Sequence, residues 1–297
     1  MVEPEPDGTG GLARVLTVFL TNRECPWRCV FCDLWRHTVA SPVAVGTIPS
    51  QIDQALGDPG LRADPADVLK LYNAGSYFDA GAIPPADDGA VVERARGFRR
   101  LVVESHPSLV GDRCWRLRDR LVAGGCGTGA ELEVAMGLES VNPLVLERLN
   151  KGVRLEDFDR VAGLLRREGV GLRVFVLVGA PFEAAEEAVT GTVRAARHAR
   201  DLGARVVSLI PVRGGNGALE ALAAQGLFRR QRLGVLERAH EGALGLGGSV
   251  YLADTWDLKG FADCGVCFGR RRDRLERMNR TQRSEAVEAC AACGWGG

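Results

Sequence analysis

Short apolar runs rich in β-branched residues alternate with amphipathic stretches of helical period along most of the chain, and few architectures accept that order. The runs Arg14–Leu20, Asp67–Asn73, Arg100–Ser105, Glu131–Gly137, Leu172–Val178, Arg205–Ile210 and Ser249–Ala253 read as strands. Several are apolar on both faces, as parallel strands covered by helices must be. Between them, Asn142 and Pro143 form an N-cap and first-turn pair, with Val145, Leu146 and Leu149 as the buried stripe. Phe158, Val161, Leu164 and Leu165 recur at helical spacing over Glu156–Glu168, where Gly169 stops the run. A further helix over Ala184–Leu202 ends the same way at Gly203. The pattern predicts an α/β fold over residues 12–254, six or seven parallel βα units that either close a barrel or leave it open on one side as a partial (βα)6 TIM-like barrel. Ligands of such an array bind at the C-terminal ends of its strands.

Past residue 254 the alternation gives way to an Arg-rich segment bracketed by cysteine pairs, which places a small C-terminal metal-binding module at 255–297. Residues 1–11 are acidic and rich in Pro and Gly, and read as a flexible tail. They lack the basic-then-apolar order of a secretion signal, and no later run reaches the length of a membrane span, so a cytoplasmic location is expected. Among 297 residues, 38 Lys and Arg cancel 38 Asp and Glu. No overall field therefore draws in nucleic acid or membrane; an obligate DNA-binding protein is disfavoured, and any such partner needs a local patch.

Nine cysteines are many for a reducing compartment, where their usual use is metal or redox chemistry. In Cys25-Pro-Trp-Arg-Cys29-Val-Phe-Cys32 three thiols lie just after the first strand, on the expected rim. Three sulfurs so close cannot share one helix face, but they can cap three corners of an iron–sulfur cube that ordinarily takes four cysteines. One iron is then open to an external amino-acid group. The alternatives are plain buried thiols, or zinc with His37 as fourth ligand; the spacing fits the paired ligands of zinc poorly.

Cys264 with Cys267 and Cys290 with Cys293 make two CxxC pairs separated by 22 residues, close to the paired-knuckle spacing of a closed tetrahedral site. Zinc would pin a segment too small to fold on its own core, and ligand softness also allows a second iron–sulfur cluster. Cys114 and Cys126 read as small buried hydrophobes. Between the pairs, Arg270, Arg271, Arg272, Arg274, Arg277, Arg280 and Arg283 suit either phosphate contacts or a solvated helix face interrupted by Asp273 and Glu276. His198 and His240 lie within helices and receive no function.

The other strand ends offer what an amino acid, a ribose and an adenine require. Asn73-Ala74-Gly75-Ser76 follows the second strand, where a glycine admits close approach and polar neighbours can accept from an ammonium group. Gly137-Leu138-Glu139-Ser140 follows the fourth, with a carboxylate able to accept two ribose hydroxyl hydrogens. Taken singly, Gly75 could be a turn glycine, Glu139 a helix-flanking charge and Pro181 a helix initiator. Their common position at strand ends joins them into one site.

The trio, with the aromatic Phe31 just before its last cysteine, resembles the cluster loop of the radical S-adenosylmethionine (SAM) superfamily. The resemblance implies that Cys25, Cys29 and Cys32 hold a [4Fe–4S] cluster whose fourth iron chelates SAM. It further implies reductive cleavage of SAM to methionine and a 5′-deoxyadenosyl radical that takes hydrogen from a substrate, and an electron donor such as flavodoxin or ferredoxin. Gly137–Ser140 continued as SVNPLVLERLNKG resembles the methylthiotransferase and Elongator-catalytic-subunit type. So does Glu104-Ser105-His106-Pro107, except that His106 stands where arginine is usual, which leaves its role open. Val176–Pro181 resembles their fifth-strand glycine motif, and Leu209-Ile210-Pro211 would line the end of the sixth strand. The implied SAM contacts are Phe31, Asn73, Gly75, Ser76, Glu139, Ser140, Gly179 and Pro181. With its Cys-paired C-terminus, the whole chain looks most like the radical SAM proteins of archaeosine biosynthesis, which implies a tRNA nucleoside as substrate. A small metabolite or peptide substrate, and a non-catalytic zinc-module RNA-binding protein, are the rival readings.

Overall fold

The computed structural model describes residues 1–123 and 130–296. Eight strands form one sheet in sequence order: β1 (Val2–Pro6), β2 (Leu12–Leu20), β3 (Val68–Asn73), β4 (Arg100–Glu104), β5 (Glu131–Glu139), β6 (Gly171–Val178), β7 (Val206–Pro211) and β8 (Val250–Ala253). From β2 to β8 every pairing is parallel. All seven expected strands are present, with ends within two residues of those read from the sequence, and the parallel array extends to seven strands. The helices are α1 (Thr47–Leu56), α2 (Pro59–Ala63), α3 (Asp88–Ala95), α4 (Asp112–Ala123), α5 (Pro143–Arg148), α6 (Leu155–Arg167), α7 (Ala188–Asp201), α8 (Ala218–Ala224), α9 (Leu233–Leu244) and α10 (Phe268–Thr281). The start of α5 forms as its sequence predicts, with Asn142 Oδ1 accepting from the Leu144 N–H at 3.1 Å.

Alternation along each strand divides the core in two. One face of the sheet packs against the helices: Leu69 and Leu71 of β3 share a large cluster with Val91, Leu117, Phe158 and Ala196. The other face points into the barrel, where Ala13, Val15, Val68, Val102 and Ala135 meet across four strands without a helical partner, beneath Tyr72 and Phe175. Cys114 is buried against the helical layer, as expected; Cys126 lies outside the described residues.

The expected flexible tail at residues 1–11 is corrected: residues 2–6 are β1, antiparallel to β2. The physical reason lies in the barrel's interior. Lys70 and Arg173 sit on the inner face and are almost fully buried, so they require counter-charges. Glu5 supplies one, bonded to Lys70 and to Arg173 Nη2 at 3.1 Å, while Glu133 accepts from Arg173 Nε at 2.8 Å. Burial opposes ionisation of Glu5, yet Arg173 and Lys70 outweigh it and hold its carboxyl down at about 2.

The sheet's other edge is closed by side chains. Asn279 of α10 donates to and accepts from the backbone of Ala253, both at 2.8 Å, and Gln282 does the same for Tyr251 at 2.9 and 2.7 Å. Unpaired strand groups are thereby satisfied without a ninth strand. α10 touches both β1 and β8, and Leu258, Phe261 and Leu275 join the helical-layer core. Packing is thus continuous across the expected boundary at residue 255. Among the described residues no helix is long and apolar enough to cross a membrane.

Candidate cofactor site

The Cys25–Cys32 loop leaves the C-terminal end of β2 and is held by three neighbouring segments. Following α5, Leu149 C=O accepts from the Val30 N–H at 3.1 Å and Asn150 Nδ2 donates to Arg28 C=O at 2.9 Å. Following β7, Asn216 Nδ2 donates to the carbonyls of Val30 and Cys32 at 2.8 and 3.3 Å. Following β4, the His106 ring stacks on Trp27 with centroids 3.7 Å and planes 11° apart. His106 Nε2 lies 3.0 Å from the Lys151 carbonyl, which can only accept, so that nitrogen carries the proton and Nδ1 accepts from the Ser108 N–H. Burial pushes the imidazole down to about 4, so the ring is neutral at pH 7. The residue that departs from the usual arginine is therefore a flat, uncharged support for the cysteine loop.

The three thiols are half-buried, and burial raises the pKa of each, that of Cys29 to about 12. Three thiolates here need a cationic centre to exist together. Among the described residues, the one set of three or more His, Cys, Asp or Glu ligand atoms gathered within 4.8 Å is Cys264, Cys267, Cys290 and Cys293. Neither the N-terminal trio nor His37 is part of such a set. A tetrahedral zinc with bonds of about 2.3 Å sets its sulfurs roughly 4 Å apart.

Around the trio stand the other strand ends. Gly75 has φ +132°, and a Cβ there would lie 3.3 Å from Cys25 Cβ and 3.5 Å from its sulfur, so only glycine leaves that side of the loop open. Asn73 is buried with neither amide atom partnered, an orphaned donor and acceptor beside the trio. Its N–H donates to Glu104 Oε2 at 2.9 Å, and burial lifts that carboxyl to about 8. Ser76 bonds instead to Ser105, oxygen to oxygen at 3.0 Å.

Glu139 is buried at φ +68°, a left-handed conformation that costs a non-glycine residue about 1–3 kcal/mol and clusters at functional sites. A bulge in β5 creates it, and Gly137 makes room, since a Cβ there would meet Glu139 Oε1 at 1.9 Å. Oε1 lies 2.5 Å from Lys151 Nζ, leaving Oε2 available as an acceptor. Ser140 acts locally: its hydroxyl accepts from the Asn142 N–H at 3.1 Å. Gly179 has φ +72° and lies against Gln231, and the buried Pro181 follows it. Phe31 packs with Leu177, Ala180, Val212 and Phe228, at the ends of β6 and β7.

Trp27, Lys151, Asn150 and Asn216 were not legible as site residues. Lysine offered a signal, because an Arg-rich chain that uses Lys only at 70, 151 and 259 places two of the three in buried pairs with glutamate.

At the C-terminus, Cys267 and Cys293 sulfurs are 3.8 Å apart, as ligands of one ion should be. Cys290 sits in a tight knuckle: Gly294 N–H donates to its carbonyl and its own N–H donates to Trp295 C=O, both at 2.8 Å. The Ala292 N–H aimed at its sulfur lowers the Cys290 thiol to about 7. The arginines between the pairs are mostly engaged within the chain. Arg271 pairs with Glu237 at 2.6 Å, Arg274 with Glu241, Arg277 with Glu285 at 2.9 Å, Arg270 with Glu288 at 3.1 Å, and Arg272 with Asp273 at 2.8 Å. The expected phosphate-binding run is thus largely a set of internal ion pairs, with Arg280 and Arg283 outside them.

No family model matches the chain. The beta subunit of archaeosine synthase from Methanosarcina acetivorans is 22% identical over 229 residues, 74% of this chain and 64% of that one. The chain spans less than two thirds of the length of the curated relatives it matches. Among solved structures, archaeal Elp3 from Methanocaldococcus infernus, shortened at its N-terminus, has a TM-score of 0.57 at 13% identity, covering 89% of this chain and 63% of that one. Methylornithine synthase (PylB) has a TM-score of 0.53 at 13% identity, covering 92% and 83%. The likeness is one of fold: both structures share the barrel described above.

Proposed function

We propose that this chain is a radical SAM enzyme in which Cys25, Cys29 and Cys32 hold a [4Fe–4S] cluster. The observation that carries the reading is the meeting of the Gly75 turn with Cys25, beside the unpartnered amide of Asn73. A cluster with SAM bound supplies reductive cleavage to methionine and a 5′-deoxyadenosyl radical able to abstract hydrogen. The chain's own residues do the rest. Asn73 and the Gly75 backbone receive the polar amino-acid end, and Glu139 offers its free oxygen to ribose hydroxyls while Lys151 holds the carboxylate in orientation. Phe31, Gly179 and Pro181 flank the adenine side, and Trp27 on His106 fixes the loop. Ser76 and Ser140 shape the turns that carry these groups. Flavodoxin or ferredoxin would supply the electron. Anaerobic reconstitution followed by SAM and a strong reductant tests this: a brown protein releasing 5′-deoxyadenosine is expected, and a colourless one, or one releasing none, overturns it.

For the substrate, we place a tRNA nucleoside first, supported by the likeness to archaeosine synthase subunit beta. The internal pairing of the C-terminal arginines favours a small metabolite or peptide instead. Filter binding of bulk tRNA across a salt series separates them, because phosphate contacts give a steep slope and a small-molecule enzyme a flat, weak response. For the quartet we propose zinc in a structural role, supported by sulfurs close enough for one ion.

A further inference from the structure

Most arginines of α10 are engaged within the chain, but the mouth of the barrel carries four cations that are not. Arg148, Arg229, Arg230 and Lys259 are exposed, and among the described residues none of their charged groups makes a hydrogen bond or an ion pair. Arg148 ends α5, which follows β5; Arg229 and Arg230 lie between α8 and α9, after β7; Lys259 follows β8. Contacts join them into one strip. The Arg148 guanidinium lies 4.1 Å over the Phe182 ring, and the Phe182 N–H donates to Leu227 C=O at 2.8 Å, two residues before Arg229. Arg230 lies 4.6 Å over the Phe261 ring, and its Nη2 occupies the space of a Cβ on Gly260, beside Lys259. The strip follows the rim from β5 to β8, three strand spacings of about 4.8 Å, or roughly 14 Å.

An arginine laid on a ring has one face covered and its N–H edge free, ready to meet an anion with two donors at once. Like charges set along one edge repel, and an anion relieves them. The acids nearest in sequence, Glu147 and Asp257, pair with none of the four among the described residues. Arg280 and Arg283, also outside ion pairs, lie elsewhere. Asn279 bonds to Ala253 and Gln282 to Tyr251, so α10 descends beside β8 and carries both arginines toward the N-terminal ends of the strands. The strip instead borders the cofactor site: Phe228, next to Arg229, packs with Phe31 and Leu177, and Gln231 lies against Gly179. A line of roughly 14 Å outreaches one phosphate group and suits a chain of them. Phe228 and Phe261, the apolar side chains within the line, are buried, so it lacks the open apolar centre of a stable protein interface.

We propose that Arg148, Arg229, Arg230 and Lys259 grip successive phosphates of an RNA strand along this edge of the mouth and lead it past the cofactor site. The proposal rests on the tRNA reading above and deepens it by naming the surface that holds the backbone, in place of the α10 arginines. Contacts of this kind fix register and orientation and read no sequence.

The test is filter binding of bulk tRNA to the reconstituted protein across a salt series. Each phosphate contact contributes about 0.7–0.9 to the slope of log affinity against log salt, so changing all four residues to Gln should flatten it by about 3. Any one of Arg148→Gln, Arg229→Gln, Arg230→Gln and Lys259→Gln should flatten it by just under one unit, on the order of 0.8. Arg148→Lys and Arg230→Lys keep the charge and should keep the slope, which separates lost contacts from a damaged fold. Arg280→Gln combined with Arg283→Gln should leave the slope in place. A steep slope that the fourfold variant does not move, or that falls with Arg280 and Arg283 instead, overturns the strip and keeps the tRNA reading. Wild-type protein that binds no tRNA overturns both, while 5′-deoxyadenosine release reports on the radical reading separately. A fourfold variant that binds tRNA normally but accepts electrons more slowly from flavodoxin assigns the strip to an acidic protein and overturns the proposal. So does displacement of tRNA by inorganic phosphate at constant ionic strength, the mark of a single-anion site.

Discussion

The two cysteine sites differ in what holds them. The N-terminal trio sits on one loop and takes its shape from neighbouring segments through Asn150, Asn216 and the His106–Trp27 stack. The C-terminal quartet is gathered within 4.8 Å by its own knuckles, with backbone N–H groups aimed at its sulfurs. A loop that depends on its surroundings can present an open coordination position, because nothing within it closes the fourth side. A self-sufficient knuckle pair closes its tetrahedron and stabilises structure. Under the proposed function, the same ligand atom would serve chemistry at one end of the chain and stability at the other.

The largest expected effect comes from breaking the first site alone. Cys29→Ser should reduce 5′-deoxyadenosine release to background and remove the bound iron, while zinc content and melting temperature stay near those of the wild type. Loss of both metals together would dissolve the comparison. The converse change is Cys290→Ser, which should strip zinc and lower stability by about 3 kcal/mol, or roughly 6–12 °C in a chain of this size. Its iron absorbance should persist. Calorimetry and metal analysis on the same samples read both outcomes.

A subtler break goes through the supports. His106→Ala removes a ring stack and a hydrogen bond to the Lys151 carbonyl, together about 2 kcal/mol of loop ordering. The cluster should then bleach several times faster in air, by about thirtyfold if all of that energy holds the loop closed. His106→Phe keeps the stack and should recover part of the lifetime. An unchanged bleaching rate in the alanine variant would show that the loop holds its shape without this support.

What the sequence revealed was set by the range of the interaction. Strand runs, the trio and the paired cysteines are local patterns, and Gly75 and Glu139 could be placed because each ends a strand whose period is visible. The errors were at contacts between residues far apart. Glu3 and Glu5 look like solvent-loving tail residues until Lys70 and Arg173, 65 and 168 positions from Glu5, are found buried and in need of partners. The arginines of α10 invite a phosphate until Glu237, Glu241 and Glu285 are seen to face them. Trp27 and His106 come from different strand ends and carry no mutual spacing at all.

The smallest effect concerns the histidine that serves the quartet's side as His106 serves the trio's. His240 of α9 is buried, its Nε2 lies 3.1 Å from the Tyr251 carbonyl on the edge strand that α10 covers, and burial, aided by Arg274, depresses it to about 4. The unfolded chain binds this proton near pH 6.5, the folded chain only near 4, so stability is full above pH 6.5 and falls as pH drops through that window. The limit for this one group is about 3 kcal/mol once pH is below 4. His240→Gln can still donate to Tyr251 and cannot take a proton there, so its melting temperature should decline less steeply than the wild type's between pH 6.5 and 4. The cluster's lifetime at pH 7.5 should not change, which separates this support from His106. Parallel pH profiles for the two proteins would mean that His240 contributes nothing to the acid sensitivity of the helical face behind the quartet.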